Sequence, residues 1–402
     1  MNIKDNIKIE RLDDLGRGIG YIDEKIIFIE NTLPSEIVDV EIINDFKKYY
    51  EGKVISFKKI SNERIEPNCP YYKKCGGCSL LHVNYEYQKN YKIIKLENIL
   101  KKFGNIDKTV EFIENKNIFN YRNKIDLKIN NNKWGYYNNK THNFVSIDKC
   151  LLASSSINEV ITHKELFNIN NGNIIIRSNY NDEIIIVINS DEEVNIDVNE
   201  LKKFIKLVGI IVNDKLYYGE KYFIECINNK LFKVNYNSFF QVNPYITKKM
   251  INIIDENIYG NILLDLYCGV GFLGQCVSNK LNKIYGIEIN ENSILDAISN
   301  ANMNRINNTY YMCGNSSKII EKIKDNIDTV IIDPPRTGLF KNMVEDIKRI
   351  GAKRLIYISC NPISLARDLK KLNEYYNLEK IYALDMFSNT YHIESISILN
   401  MK

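Results

Sequence analysis

The sequence predicts an α/β chain in three parts. Residues 1–60 read as a small β-barrel, 61–235 as an α+β region, and 236–402 as a doubly wound parallel sheet. Three observations carry this reading. From about residue 240, apolar strand-like runs alternate with helical stretches, the pattern of a parallel sheet with helices on both faces. A glycine-rich turn, Gly269, Gly271 and Gly274, follows the first of those runs, where such a sheet turns into its first helix. Residues 1–60 hold short apolar runs at close spacing, which suggests a barrel.

In chain order, Arg17-Gly18-Ile19-Gly20 supplies a turn before Tyr21-Ile22 and Ile26–Ile29. Leu33-Pro34 is a break, and Ile37–Ile42 and Lys53–Phe57 complete the barrel strands. Residues 62–79 are irregular and contain three cysteines. Residues 84–103 read as a helix with Tyr91, Ile94 and Leu100 as its apolar positions. Between 118 and 230, runs such as Asn173–Ile176 and Glu183–Val187 alternate with Asn-rich turns. The parallel strands are expected at Ile262–Leu266, Ile284–Ile289, Thr309–Met312, Thr329–Asp333 and Leu355–Ser359.

At 402 residues the chain is long enough for two or three domains. No run approaches the roughly 18 apolar residues of a membrane helix, and the first residues are charged rather than signal-like. A soluble, cytoplasmic monomer is expected. Nine cysteines then point to metal binding or catalysis, not disulfides. The net charge of +4 says little about partners. Its distribution says more: residues 46–102 carry thirteen Lys or Arg against five Asp or Glu, interleaved with aromatics such as Tyr49, Tyr50, Tyr71 and Tyr72. Cations that follow phosphates and rings that stack on bases suit single-stranded nucleic acid, although a solvated face with half-buried tyrosines would look the same.

The glycine turn matches G-x-G-x-x-G, and Glu288 ends the next strand, where a carboxylate can accept hydrogen bonds from a ribose. That pattern alone fits either a nicotinamide cofactor or S-adenosylmethionine. Ligands of open α/β sheets sit beyond the carboxyl ends of the strands. Asp265, Glu288, Asp333 and Cys360 all fall at such ends, so they should share one crevice. A dehydrogenase does not call for a cysteine and an Asp-Pro-Pro corner there. Arg336 after Asp333-Pro334-Pro335, in place of an aromatic, leans against methylation of an exocyclic amine.

A thiolate and a base at one sheet edge suit methylation of carbon 5 of uracil. That carbon is a poor nucleophile until a thiolate adds to carbon 6, and the product needs a base to remove its carbon 5 proton. Cys360 fills the first role and Glu394, within Thr390-Tyr391-His392-Ile393-Glu394, fills the second. The plainer alternatives are a small buried cysteine and an exposed acid that begins the last strand. Cys226, Cys276 and Cys313 read as structural, and Cys268 is the runner-up nucleophile. Cys69, Cys75, Cys78 and Cys150 could hold a [4Fe–4S] cluster or a zinc ion. Structural zinc sites usually show two close pairs, so the spacing favours iron–sulfur. It is not the C-x3-C-x2-C of radical enzymes.

Taken in order, these motifs resemble the RumA/TrmA family of RNA uridine-5-methyltransferases, and its iron–sulfur RumA-like branch in particular. The resemblance covers essentially the whole chain. It implies an OB-like, RNA-binding TRAM barrel over residues 1–58, a central α+β domain with an iron–sulfur site, and a Rossmann-like S-adenosylmethionine methyltransferase domain. Asn120–Lys124 resembles a motif that faces RNA, and Phe239-Phe240-Gln241-Val242-Asn243 one whose Gln binds the cofactor. The implied cofactor ligands are Gln241, Tyr267, Glu288 and Asp333, the nucleophile Cys360, the base Glu394, and the cluster ligands Cys69, Cys75, Cys78 and Cys150. By analogy the target is 23S ribosomal RNA. A transfer RNA uridine, or a non-catalytic RNA-binding assembly factor, are the alternatives.

Overall fold

The computed structural model describes residues 3–138, 143–340 and 342–402. The chain forms two compact units. One comprises Met1–Lys95, Tyr137–Val145 and Phe387–His392; the other comprises Leu96–Tyr136, Ser146–Met386 and Ile393–Lys402.

In the first unit the strands Ile3–Lys8, Ile37–Asp45, Tyr49–Lys59, Lys25–Ile29, Gly18–Ile22 and Arg11–Leu12 lie side by side in that order. Ile7, Ile9, Ile22, Ile27, Ile29, Val38 and Val40 fill their interior. A side chain at Gly18 would collide with Thr32 and Ile9, so glycine is required where the strand crosses that turn. The first strand, Ile3–Lys8, was not among the expected elements; its apolar residues are interrupted by Lys4, Asp5 and Asn6, and Asn6 has φ 60°. Glu36 is fully buried and accepts from Arg64 Nε at 2.6 Å, Arg64 Nη2 at 2.8 Å and Leu33 N at 2.7 Å. Buried acids persist only when paired in this way.

The expected helix is present as Tyr85–Ile99, with a wider turn over Leu100–Gly104. Tyr91 and Leu100 are buried as anticipated, but Ile94 is 55% exposed and does not belong to the buried face.

In the second unit a central sheet includes, strand beside strand, Lys124–Asn130, Asn171–Ser178, Glu183–Asn189, Lys206–Val212 and Lys215–Gly219. The larger sheet has the order Thr309–Cys313, Lys283–Glu288, Ile262–Leu266, Thr329–Ile332, Arg354–Ser359, Glu394–Met401, Tyr376–Leu384, Glu111–Ile113. Its first five strands are parallel and match the expected ones to within a residue or two. The run at 284–289 stops at Glu288 because the Glu288 carboxylate takes the Ile289 and Asn290 amides, leaving Ile289 74% exposed. Glu394–Met401 then runs antiparallel beside Arg354–Ser359, an arrangement the sequence reading did not include. Among the described residues no helix is long and apolar enough to cross a membrane.

Candidate active site

The strand Ile262–Leu266 delivers Asp265 and Tyr267 to the carboxyl edge of the larger sheet. Asp265 is buried and accepts from the Gly274 amide at 3.0 Å. Burial, reinforced by the nearby charges of Asp333 and Glu288, pushes its carboxyl up to about 7. Tyr267 has φ 61°, and burial raises its phenol to about 12. Glu288 takes the Gly269 amide on its other oxygen at 3.2 Å, tying the glycine turn to the neighbouring strand. Gly271 has φ 75°, and a Cβ there would collide with the Tyr311 hydroxyl and Gln275. A Cβ at Gly269, in contrast, would meet nothing within 4 Å.

Two buried polar atoms at this edge, Asp265 Oδ1 and the Tyr267 hydroxyl, have no hydrogen-bond partner among the described residues. Such orphans are costly unless a ligand completes them. With the open space at Gly269 and the Glu288 and Asp333 carboxylates, the residues fit a cationic nucleoside cofactor such as S-adenosylmethionine.

The strand Arg354–Ser359 ends at Cys360. Ser359 pairs with Ser395, and Ser395 Oγ donates to Ser359 O at 2.9 Å. One step further along this antiparallel register sets Cys360 opposite Glu394. Cys360 is half-buried; Glu394 is 7% exposed, so it is not the exposed acid of the plainer reading. Burial raises the Cys360 thiol, and the Glu394 charge adds to this, while Arg336 opposes it. Burial also holds the Glu394 carboxyl well above the ordinary carboxylate range, with Asp333 adding to the shift and Arg336 opposing it. Asp333 is pushed up to about 7 by burial. Three acidic or nucleophilic groups and one guanidinium therefore sense one another at the end of neighbouring strands.

The surrounding loops are pinned by residues that the sequence reading passed over. Asn361 caps the helix Pro362–Leu372 by accepting from Ile363 N at 3.1 Å, and its Nδ2 donates to Arg336 O at 2.9 Å. This ties the Asp-Pro-Pro-Arg corner to the residue after Cys360. An Asn before a Pro at the first helical position was the available signal. Asp368, also buried, accepts from Leu339 N and the Tyr357 hydroxyl, each at 2.8 Å, and fixes the far side of the same loop. A lone acid inside a helix gives no such hint.

Gln241 and its neighbours are held from the central sheet. Asn123 N donates to Val242 O at 3.0 Å and Asn123 Nδ2 to Gln241 O at 3.2 Å, so the 120–124 and 239–243 motifs meet. Phe240 is buried against Phe232 and Phe272, whereas Phe239 is exposed. Cys268 is buried, and burial keeps its thiol well above its ordinary value. Cys69, Cys75 and Cys78 lie in the irregular part of the first unit and Cys150 in the second; all four are half-buried and none is in a disulfide. Among the described residues no group of three or more His, Cys, Asp or Glu is arranged to hold a metal ion.

The glycine turn, the acidic strand ends and the orphaned polar atoms fit a nucleoside-cofactor site at the edge of an α/β sheet. Comparison with known proteins narrows this. The family described as tRNA (uracil-5-)-methyltransferase matches residues 84–402, and a TRAM domain matches residues 6–55. The chain belongs to the RNA (uracil-5-)-methyltransferase family, whose members depend on S-adenosylmethionine. An uncharacterized RNA methyltransferase of Clostridium tetani is 33% identical, over 98% of this chain and 95% of that protein. One from Staphylococcus aureus strain N315 is 30% identical, over 99% of both. The crystal structure of Pyrococcus abyssi tRNA (uracil-54, C5)-methyltransferase in complex with S-adenosyl-L-homocysteine superposes with a TM-score of 0.80 at 27% identity, covering 98% of this chain and 99% of that one.

Proposed function

We propose that this protein methylates carbon 5 of a uridine in 23S ribosomal RNA, with Cys360 as nucleophile and Glu394 as base. The observation that carries the reading is the Ser359–Ser395 register, which opposes Cys360 to Glu394. Residues 1–60 would grip RNA, 61–235 would shape its path, and 236–402 would perform the chemistry. Gln241, Tyr267, Glu288 and Asp333 would hold S-adenosylmethionine, which supplies an electrophilic methyl group.

The Cys360 thiolate adds to carbon 6, and the electron pair of the carbon 5–carbon 6 bond becomes available at carbon 5. Carbon 5 takes the methyl group. Glu394 then removes the proton left on carbon 5, the double bond re-forms, and Cys360 leaves as thiolate. Arg336 favours the charged form of both side chains. Asp333, as a carboxylate, favours a cation beside it. Asp333→Asn should weaken S-adenosylmethionine binding roughly 10- to 100-fold, as loss of a charged hydrogen-bond acceptor would. Calorimetric titration of the protein without RNA checks this, and an unchanged affinity would remove Asp333 from the ligand set.

The RNA is addressed by mass mapping of 5-methyluridine in ribosomal and transfer RNA from a strain lacking this protein. Loss of a 23S site supports the proposal. The likeness to an enzyme acting on tRNA favours a second reading, and loss of a tRNA site would establish that one instead. We further propose that Cys69, Cys75, Cys78 and Cys150 bind a [4Fe–4S] cluster. Four cysteines at non-paired spacing support it. Protein purified without oxygen should contain iron and acid-labile sulfide in equal amounts; zinc alone, or no metal, would refute the cluster.

A further inference from the structure

The corner Asp333-Pro334-Pro335 runs on into a loop, residues 336–340, that ends in Phe340. Phe340 is 62% exposed, and among the described phenylalanines only Phe239 is more so. Single exposed apolar residues are ordinary on a protein surface. Phe340 differs because the backbone beneath it is fixed. Gly338 N donates to Pro335 O at 2.8 Å, and Met343 N to Phe340 O at 3.0 Å. The Asp368 carboxylate takes the Leu339 amide at 2.8 Å, and Arg367 Nη2 donates to Thr337 O at 2.7 Å. Gly338 has φ 81°, and a Cβ there would collide with Asp368 and Arg367. Leu339 is thereby turned inward and buried, and the ring that follows it is held outward.

The loop also lies at the reacting edge of the larger sheet. At its start, the Arg336 charge acts on both Cys360 and Glu394. At its end, the Phe340 ring centre is 6.3 Å from that of Tyr267, with the two rings tilted by 43°. The loop therefore reaches from the nucleophile to the residue that opens the glycine turn. The Arg367 side chain, which holds the loop at Thr337, is half-exposed. An exposed ring can stack on any base, and a guanidinium close by can meet a phosphate. That combination suits a strand whose bases are unpaired.

We infer that Phe340 is a stacking platform for a base of the RNA strand, with Arg367 placed to meet a phosphate beside it. This rests on the proposal that RNA is methylated at this edge. The full-length protein and its variants are to be titrated with ribosomal and transfer RNA from a strain lacking the protein. In Phe340→Trp the new indole should be quenched by RNA and not by S-adenosylmethionine alone. The natural tryptophan, Trp134, is 1% exposed, so the wild-type signal should change little. Phe340→Ala should raise KM for RNA roughly 10-fold, the worth of one stacked base, with S-adenosylmethionine affinity and melting temperature unchanged. Phe340→Tyr should keep the wild-type KM, whereas Phe340→Leu should not, because it restores bulk without a ring face. An unchanged KM in Phe340→Ala, or Leu serving as well as Tyr, overturns the inference. So does a fall in S-adenosylmethionine affinity, which would make the ring a cover for the cofactor. Cys360→Ala separates the two layers. Adduct in that variant with the indole still quenched sinks the nucleophile reading and leaves the stacking in place, whereas loss of adduct there with no quenching in Phe340→Trp sinks the inference alone.

Discussion

Cys360→Ala is expected to abolish both methyl transfer and the covalent RNA adduct, a loss of roughly 10⁴-fold or more, as when a covalent nucleophile is removed. Cys268, in the glycine turn, is not expected to stand in. Cys268 is the nearest rival in the sequence, but it is buried beside Gly286, and burial holds its thiol protonated far above neutrality. Cys268→Ala should therefore keep most of the activity. Cys360 also starts as a thiol: its value is raised from 9.0 by burial and by the Glu394 charge. The thiolate fraction below that value rises tenfold for each pH unit, so adduct formation should climb steeply between about pH 7 and 9. Arg336→Met removes a nearby cation that opposes the shift and should move the climb to higher pH. Adduct mapping by mass spectrometry, with rates taken across that range, checks both. Adduct formation by Cys360→Ala, or a flat pH profile, would contradict the assignment.

Three of the five parallel strands, 262–266, 329–332 and 354–359, were legible because a strand buried on both faces must be almost uniformly apolar. The glycine turn was legible because its spacing answers to backbone geometry. Strand partners chosen over long distances were not. Glu111–Ile113 pairs with Tyr382–Leu384 across some 270 residues, and three residues of local sequence carry no trace of that. Glu394 shows the same limit in the site. A charged residue opening a strand looks exposed until the Ser359–Ser395 register buries it beside Cys360. Asn361 and Asp368 act through what they hold, so no motif of their own announces them.

Glu394→Gln should trap the enzyme on its RNA, and two separate effects push in that direction. The amide keeps the size of the side chain but cannot take the carbon 5 proton, so the adduct that follows methyl transfer has no route back to free thiolate. Where Glu394 is ionised, removing its charge also removes one cause of the raised Cys360 value, so the thiolate becomes easier to form. Entry into the adduct should speed up, with its pH profile shifted downward, while exit should slow by roughly 10²- to 10⁴-fold, the usual contribution of a general base. A purely structural role for Glu394 predicts something else: a buried acid replaced by a neutral isostere would lose its desolvation cost, and the protein would turn over normally. Glu394 is held well above its ordinary value, so it is a strong proton acceptor once ionised, and the wild-type release step should also quicken as pH rises. Single-turnover measurement of adduct formation and decay in the two proteins decides between these outcomes. Normal product release by Glu394→Gln would leave Cys360 without a partner and return the search for the base to Asp333, the other raised carboxyl that acts on the Cys360 thiol.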